Sequence, residues 1–259
     1  MKIRFSKYQA TGNDFIIVDN RPGTLKLTTE QVQRLCDRKF GVGADGLMLI
    51  ERDGSSDFNL VYYNSDGSQS LCGNGSRAAV MFASSIGAVN GKTSFNAYDG
   101  LHDAEIRPDG NVRLRMNDVS GARNLGNDFF IDTGSPHYIQ IVDSVENFPV
   151  VEKGRSIRYS ADFQPGGTNV NFIALKDNNT IFVRTYERGV EDETLSCGTG
   201  VTAAALAASF HGYTSPIKIK TLGGELSVEF ERNAGQDGAF TNIFLVGPAK
   251  MVFQGELEL

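Results

Sequence analysis

Cys72-Gly-Asn-Gly-Ser-Arg-Ala-Ala79 and Cys197-Gly-Thr-Gly-Val-Thr-Ala-Ala204 agree at five of eight positions, 125 residues apart. Each opens an alanine-rich run, the first ending near Gly87 and the second near Gly212. Upstream lies a second pair at an offset of 122, Thr11-Gly12-Asn13-Asp14-Phe15-Ile16 and Thr133-Gly134-Ser135-Pro136-His137-Tyr138-Ile139, each leading into an apolar stretch that closes on Val-Asp. A weaker third pair sets Gly43-Ala44-Asp45-Gly46-Leu47-Met48 beside Thr168-Asn169-Val170-Asn171-Phe172-Ile173. Three matches in one order at nearly one spacing make the chain a duplication. Its halves are expected at 1–118 and 119–247, with the tail 248–259 returning to pack on the first.

Most of the chain reads as strand. Phe15–Asp19, Leu47–Glu51, Phe58–Asn64, Val112–Met116, Tyr138–Val142, Asn171–Leu175, Thr180–Tyr186, Ile217–Thr221, Glu225–Glu231 and Ile243–Gly247 are rich in β-branched and aromatic residues between turn residues. Asp109-Gly110 and Asn178-Asn179 are hairpin turns. Helices are few. Thr28-Thr29-Glu30-Gln31 reads as a capping box opening an amphipathic helix over Glu30–Lys39, with Cys36 on its apolar side. In the second alanine-rich run, Ala203 to Ala208 and Phe210 leave almost no polar face, which predicts a helix buried all round. The fold class that follows is α+β: two pseudo-symmetric halves, each a curved, mostly antiparallel sheet wrapped round a central alanine-rich helix.

A cysteine at the start of each such helix has chemical consequences. The first N–H groups of a helix lack intrahelical partners and, with the helix dipole, make a site for a carboxylate or phosphate. The same field favours thiolate over thiol. If the halves face each other, two thiols flank one bound anion. That arrangement suits inversion of a carbon bearing a hydrogen, in which one group removes the proton from one face and the other returns one to the opposite face. Helix N–H groups would stabilise the carbanion through its carboxylate. No Lys stands in a pyridoxal-phosphate context, so no cofactor is expected.

Composition narrows the alternatives. The 259 residues are 40% hydrophobic and 22% charged, ordinary for a globular protein with a substantial core. Lys and Arg total 25 against 31 Asp and Glu, a formal charge of −6 with no basic stripe, which argues against nucleic acid as a partner. No apolar run reaches the length of a membrane span, and the N-terminus lacks a signal-peptide core, so a cytoplasmic protein with no membrane partner is expected. Three Cys cannot build a disulfide scaffold, and His102, His137 and His211 lack metal-ligand spacing, so no metal site is expected. Neither Cys-Gly-x-Gly loop ends in Gly-Lys-Ser/Thr, which sets aside a phosphate-cradling nucleotide loop. A thiol redox protein stays open as a reading from another class, although its two cysteines would stand 125 residues apart with no Cys-x-x-Cys.

Six blocks in order along the chain resemble the diaminopimelate epimerase family: Thr11-Gly12-Asn13-Asp14-Phe15, Gly41-Val42-Gly43-Ala44-Asp45-Gly46, Asn64-Ser65-Asp66-Gly67-Ser68, Cys72-Gly73-Asn74-Gly75-Ser76-Arg77, Tyr186-Glu187-Arg188-Gly189 and Cys197-Gly198-Thr199-Gly200. The resemblance implies two α/β halves with the site in the cleft between them, and commonly a homodimer. It implies conversion of LL- to meso-2,6-diaminopimelate without pyridoxal phosphate, a step toward lysine and peptidoglycan. Carried over, Cys72 and Cys197 match the two acid/base cysteines, and His137 and Glu187 match groups that tune them. The backbone of Gly73, Asn74, Gly198 and Thr199 would hold the reacting carboxylate, and Asn13 would orient the reacting amino group. Asn64, Asn169 and Arg188, with Glu187, would recognise the distal amino-acid head.

Three positions depart from the family pattern. Ser135 stands where Asn usually precedes Pro-His, so a contact to the distal head is expected to be lost or bridged by water. Gly46 stands where some members carry a Gln that touches substrate. The segment 189–194 is longer and more acidic than usual, and its carboxylates are expected to oppose ionisation of Cys197. A proline or hydroxyproline racemase-like enzyme is the nearest alternative, and a phenazine-type isomerase, which works without the cysteine pair, is less well matched.

Overall fold

The structure, a computed structural model, describes residues 2–70, 72–233, 235 and 238–258. In chain order its elements are β1 Lys2–Ala10, β2 Asn13–Asp19, α1 Thr29–Cys36, β3 Gly46–Glu51, β4 Phe58–Asn64, α2 Gly73–Ser85, β5 Lys92–Ala97, β6 Gly100–Ile106, β7 Val112–Arg115, β8 Ala122–Leu125 and β9 Asp128–Asp132. There follow β10 Pro136–Ile141, α3 Val150–Arg158, β11 Asn169–Lys176, β12 Thr180–Glu187, β13 Asp192–Thr194, α4 Gly198–Ala208, β14 Ile217–Thr221, β15 Gly224–Arg232, β16 Phe240–Gly247 and β17 Lys250–Glu258. The chain divides into two units, Met1–Leu114 with Gly247–Leu259, and Arg115–Val246.

The first unit is a mixed sheet. β1 lies antiparallel between β17 and β2. β2 runs parallel to β3, β3 antiparallel to β4, β4 parallel to β5, and β5 and β6 continue antiparallel. Phe15, Ile16, Ile17 and Val18 are all buried, because the sheet is covered on both faces. Ile16, Val18, Leu47 and Leu49 meet Val32, Leu35 and Cys36 of α1 on one face. On the other, Phe15 and Met48 lie beneath Gly75 of α2. The last residue of the tail, Leu259, lies outside the described residues.

The second unit repeats this order. β9 and β10 are antiparallel, β10 runs parallel to β11, β11 antiparallel to β12, β12 parallel to β14, and β14, β15 and β16 continue antiparallel. α4 takes the place of α2 and is buried on all sides from Val201 to Ala208. α3 takes the place of α1, closing the other face with Val145, Val150, Phe172 and Tyr186. In each unit antiparallel pairings outnumber parallel ones, as the α+β expectation required.

The register refines the repeat. Phe15 is opposite Gly46 in the first unit, and His137 is opposite Asn169 in the second. With His137 equivalent to Phe15 at an offset of 122, the equivalent of Gly46 is Asn169, at 123 rather than the 125 of the third sequence pair. The two-residue slip leaves strand faces in phase, which is why the apolar pattern matched despite it.

Other expectations are corrected locally. The helix expected to reach Lys39 ends at Cys36, where Asp37 turns extended and its carboxylate accepts the N–H groups of Lys39 and Phe40. The capping box is present: Thr28 Oγ1 accepts from Gln31 N–H, and Gln31 Oε1 from Thr28 N–H. Asn178 and Asn179 both have positive φ, as a two-residue hairpin turn demands. The sequence reading missed α3, which opens after Pro149 with Glu152 in its first turn and Arg155 and Arg158 in its last. It also missed β1 and β17, whose alternation is broken by charges.

Candidate active site

In the first unit Cys72 caps α2. Its backbone is extended, its Sγ accepts the Gly75 N–H at 3.4 Å, and the first intrahelical bond is Ser76 N–H to Cys72 C=O at 2.7 Å. Gly73 and Asn74 therefore occupy the first turn, ahead of that bond. Asn13, at the start of β2, donates its Nδ2 to Asp45 at 2.5 Å. Its Oδ1 is thereby turned to accept the Cys72 S–H at 3.4 Å and Asn74 Nδ2 at 3.5 Å. Asp45 is held by Arg38 at 2.8 Å. Arg38 and Lys7 also bind Asp14; burial would raise that carboxyl, but the two cations hold it well below the usual carboxylate range.

Asn64 ends β4 with its amide engaged in its own loop, donating to Ser68 Oγ and accepting from Ser70 Oγ. Gly46 has a steric reason to be glycine. A Cβ there would lie 2.6 Å from the Tyr62 ring and 2.7 Å from the Tyr63 carbonyl oxygen. The Tyr62 ring occupies the space into which a side chain at position 46 would extend.

In the second unit Cys197 caps α4 with the same extended backbone, and Val201 N–H to Cys197 C=O is the first intrahelical bond. Its Sγ lies 3.5 Å from Thr199 Oγ1, which is 2.9 Å from His137 Nε2. The Nδ1 of His137 is 2.9 Å from Asn171 Oδ1, and Asn171 Nδ2 donates to Thr185 Oγ1 at 2.7 Å. His137 is fully buried, and burial pulls its pKa down to about 4, so the ring is neutral at physiological pH. It reaches Cys197 through Thr199.

Asn169 ties the remaining group together. Its Nδ2 donates to Ser135 Oγ at 2.9 Å and to the Pro136 carbonyl, while its Oδ1 accepts the Arg188 N–H at 2.9 Å. The Ser135 hydroxyl is thus already bound to Asn169. The Arg188 guanidinium donates to the Gly166 carbonyl at 3.2 Å, and Glu187 accepts from Thr194 Oγ1 at 2.8 Å. The acidic segment before Cys197 is tied to arginines. Arg158 binds Glu191, and Arg184 binds Glu193 through both carboxylate oxygens.

Asn13, Asn64, Cys72, Gly73 and Asn74 thus belong to the first unit, and Ser135, His137, Asn169, Glu187, Arg188, Cys197, Gly198 and Thr199 to the second. Asp45, Arg77, Asn171 and Thr185 were not singled out from the sequence, yet they hold the groups that were. For Arg77, Asn171 and Thr185 the signal was a polar residue at a buried position of a helix or strand, as Asn171 is within β11, whereas Asp45 is exposed in the bend before β3 and gave none. Among the described residues, no cluster of three His, Cys, Asp or Glu is placed to hold a metal ion, and no helix is long and apolar enough to cross a membrane.

The fold is that of a phenazine biosynthesis protein of the PhzF family from Bacillus anthracis, with a TM-score of 0.75 at 15% identity over the whole of both chains. It is also that of a hydroxyproline epimerase from Agrobacterium vitis, with a TM-score of 0.71 at 14% identity over 100% of this chain and 93% of that one. Within that class of duplicated folds the sequence is more specific. The diaminopimelate epimerase family model matches residues 5–121 and 129–252, and a diaminopimelate epimerase from Flavobacterium psychrophilum is 48% identical over 256 residues, 97% of this chain and 99% of the relative. The chain belongs to the diaminopimelate epimerase family.

Proposed function

We propose that this chain interconverts LL- and meso-2,6-diaminopimelate by proton exchange between two thiols, as an isomerase of lysine and peptidoglycan-precursor synthesis. The observation that carries the reading is the pair of cysteines capping equivalent helices in two repeated units, with the Gly75 N–H bonded to the sulfur in the first. One sulfur, as thiolate, takes the α-proton; the electron pair left on carbon moves into the carboxylate; the other sulfur, as thiol, returns a proton to the opposite face. Thiol and thiolate have then exchanged places, and the reverse reaction runs through the same groups.

The N–H groups of Gly73, Asn74, Gly198 and Thr199 receive the charge that gathers on the carboxylate. Asn13 orients the amino group of the reacting carbon. The distal amino-acid head is bound by Asn64, Asn169, Glu187 and Arg188, with Ser135 steadying Asn169. His137 tunes Cys197 through Thr199. No step draws on a cofactor, since both transfers use the chain's own sulfurs. A cytoplasmic homodimer is the form in which the enzyme is expected to work.

Proton NMR in D₂O with LL-diaminopimelate, and proline in parallel, tests the reading. Deuterium at the α-carbon with meso product from diaminopimelate alone supports it. Exchange with proline alone would transfer the chemistry to the other substrate, and exchange with neither would refute the epimerase.

A further inference from the structure

Arg77, on the second turn of α2, is fully buried, and no ion pair to it is seen among the described residues. Its guanidinium donates to Asn74 Oδ1 at 3.0 Å, to Thr11 Oγ1 at 3.3 Å and to the Gly73 carbonyl at 3.4 Å, and its Nε finds no acceptor. A buried cation is ordinarily matched by a carboxylate or avoided. The repeat-equivalent position on α4 is avoided in that sense: it holds Thr202, whose hydroxyl donates to the Gly198 carbonyl.

The charged groups on the strands packed against α2 are engaged elsewhere or, like Lys2, exposed. Lys7 and Asp14 pair with each other on the far face, Asp19 binds Arg21, and Glu51 accepts from Asn20 and Asn59. On β6, His102 meets Asp99, Asp103 accepts from Ser94, and Glu105 is opposite Lys92. On β17, Glu256 pairs with Arg4, while Lys250 and Glu258 are exposed. Tyr8 reaches Ser85, and Tyr62 packs on Phe15.

We propose that Arg77 is a positioning residue whose charge, added to that of the α2 N-terminus, is the standing counter-ion of a Cys72 thiolate, making Cys72, rather than Cys197, the thiol that ionises first. The proposal rests on the two-thiol reading of the site and says which sulfur carries the charge before substrate arrives. Burial pulls the guanidinium down to about 10, and the one charge that raises it again is a Cys72 thiolate. The coupling is reciprocal, so the cation favours that thiolate equally. The Gly75 N–H at the sulfur acts in the same sense. In the neutral form the S–H donates weakly to Asn13 at 3.4 Å, a long contact, and the charge of the buried Arg77 acts against it.

Cys197 is built differently. Asn171 donates to Thr185 and so accepts from His137 Nδ1–H; His137 Nε2 then accepts the Thr199 hydroxyl hydrogen, and Thr199 oxygen is left to accept a Cys197 S–H. That chain of donors favours the neutral thiol. Arg77 has a second task, because its bond to Asn74 Oδ1 leaves the Asn74 NH₂ aimed at Asn13.

Thiolate absorbance at 240 nm, followed against pH in the wild type, Cys72→Ser and Cys197→Ser, assigns each titration step without any turnover. A failed epimerase assay therefore leaves this test intact. Burial pushes Cys36 up to about 11, outside the window. The step lost in Cys72→Ser is expected at lower pH than the step lost in Cys197→Ser. Arg77→Met should move the Cys72 step up by about one pH unit, roughly a tenfold loss of thiolate, leave the Cys197 step in place, and be largely reversed in Arg77→Lys. A Cys197 step below that of Cys72 overturns the proposal, as does an unmoved Cys72 step in folded Arg77→Met. Should Arg77→Met not fold, the order of the two wild-type steps decides.

Discussion

His137 Nδ1 lies 2.9 Å from Asn171 Oδ1, and that bond decides which ring nitrogen carries the proton. Because Asn171 spends its NH₂ on Thr185, it can only accept from the ring, so the proton is on Nδ1 and Nε2 is an acceptor. The corresponding positions in the first unit are Phe15 and Met48. The positions that hold a buried polar pair in the second unit are thus apolar in the first, where Cys72 is instead met by Asn13 and the Gly75 N–H.

The buried ring makes stability depend on pH. Burial lowers His137 from its ordinary 6.5 to about 4, so below 6.5 the unfolded chain takes up a proton that the folded chain refuses. The stabilisation is complete above 6.5 and lost as pH falls toward 4, a span worth about 3 kcal/mol. Chemical denaturation at pH 7 and pH 4 should show the wild type losing about that much more than His137→Gln. Parallel losses would mean that the ring titrates normally in the folded chain.

Serine at either cap should stop the reaction and spare the fold. On the proposed mechanism Cys72→Ser and Cys197→Ser each remove the group that exchanges a proton on one face, and turnover should fall by about a thousandfold or more. Circular dichroism should be unchanged. A variant retaining near-wild-type epimerisation would sink the two-thiol mechanism.

Asp45 should matter through Asn13. Asp45→Ala frees the Asn13 amide that it now holds at 2.5 Å, and a side chain free to turn binds the amino group less well. The loss is expected to be about tenfold in kcat/KM, at the scale of one charge-assisted hydrogen bond. Asp45→Asn should recover part of it. If Asp45→Ala turned over normally, Asn13 would not need its anchor.

Gly46→Ala tests the packing that replaces a side chain there. The added methyl meets the Tyr62 ring and the Tyr63 carbonyl, and overpacking of this kind costs about 1–3 kcal/mol. Tyr62→Ala in the same chain should return part of the loss in melting temperature, since it removes the ring but not the carbonyl. A melting temperature unchanged by Gly46→Ala alone would show that the ring moves aside at no cost.

What sequence conveyed best was the repeat. The two Cys-Gly-x-Gly phrases cap helices, and the alanine-rich run after Cys197 is buried all round because small residues let strands approach from every side. The amphipathic helix ended three residues early because Asp37 offers its carboxylate to two backbone N–H groups, a local competition that periodicity does not register. The supports of the site were harder to read. Asn171 and Thr185 meet only because β11 and β12 place them opposite each other, a pairing between residues fourteen apart. The acids at 191 and 193 looked repulsive in a linear reading because Arg158 and Arg184, which bind them, come from α3 and β12.

The last strand has a consequence for synthesis. β17 is the neighbour of β1, so the opening strand of the chain waits for residues 250–258 before its outer edge is paired. The second unit, by contrast, is one uninterrupted stretch from Arg115 to Val246. The sheet beneath Cys72 is therefore closed by chain that lies beyond the whole of the second unit, and until residues 250–258 pair it keeps an open edge.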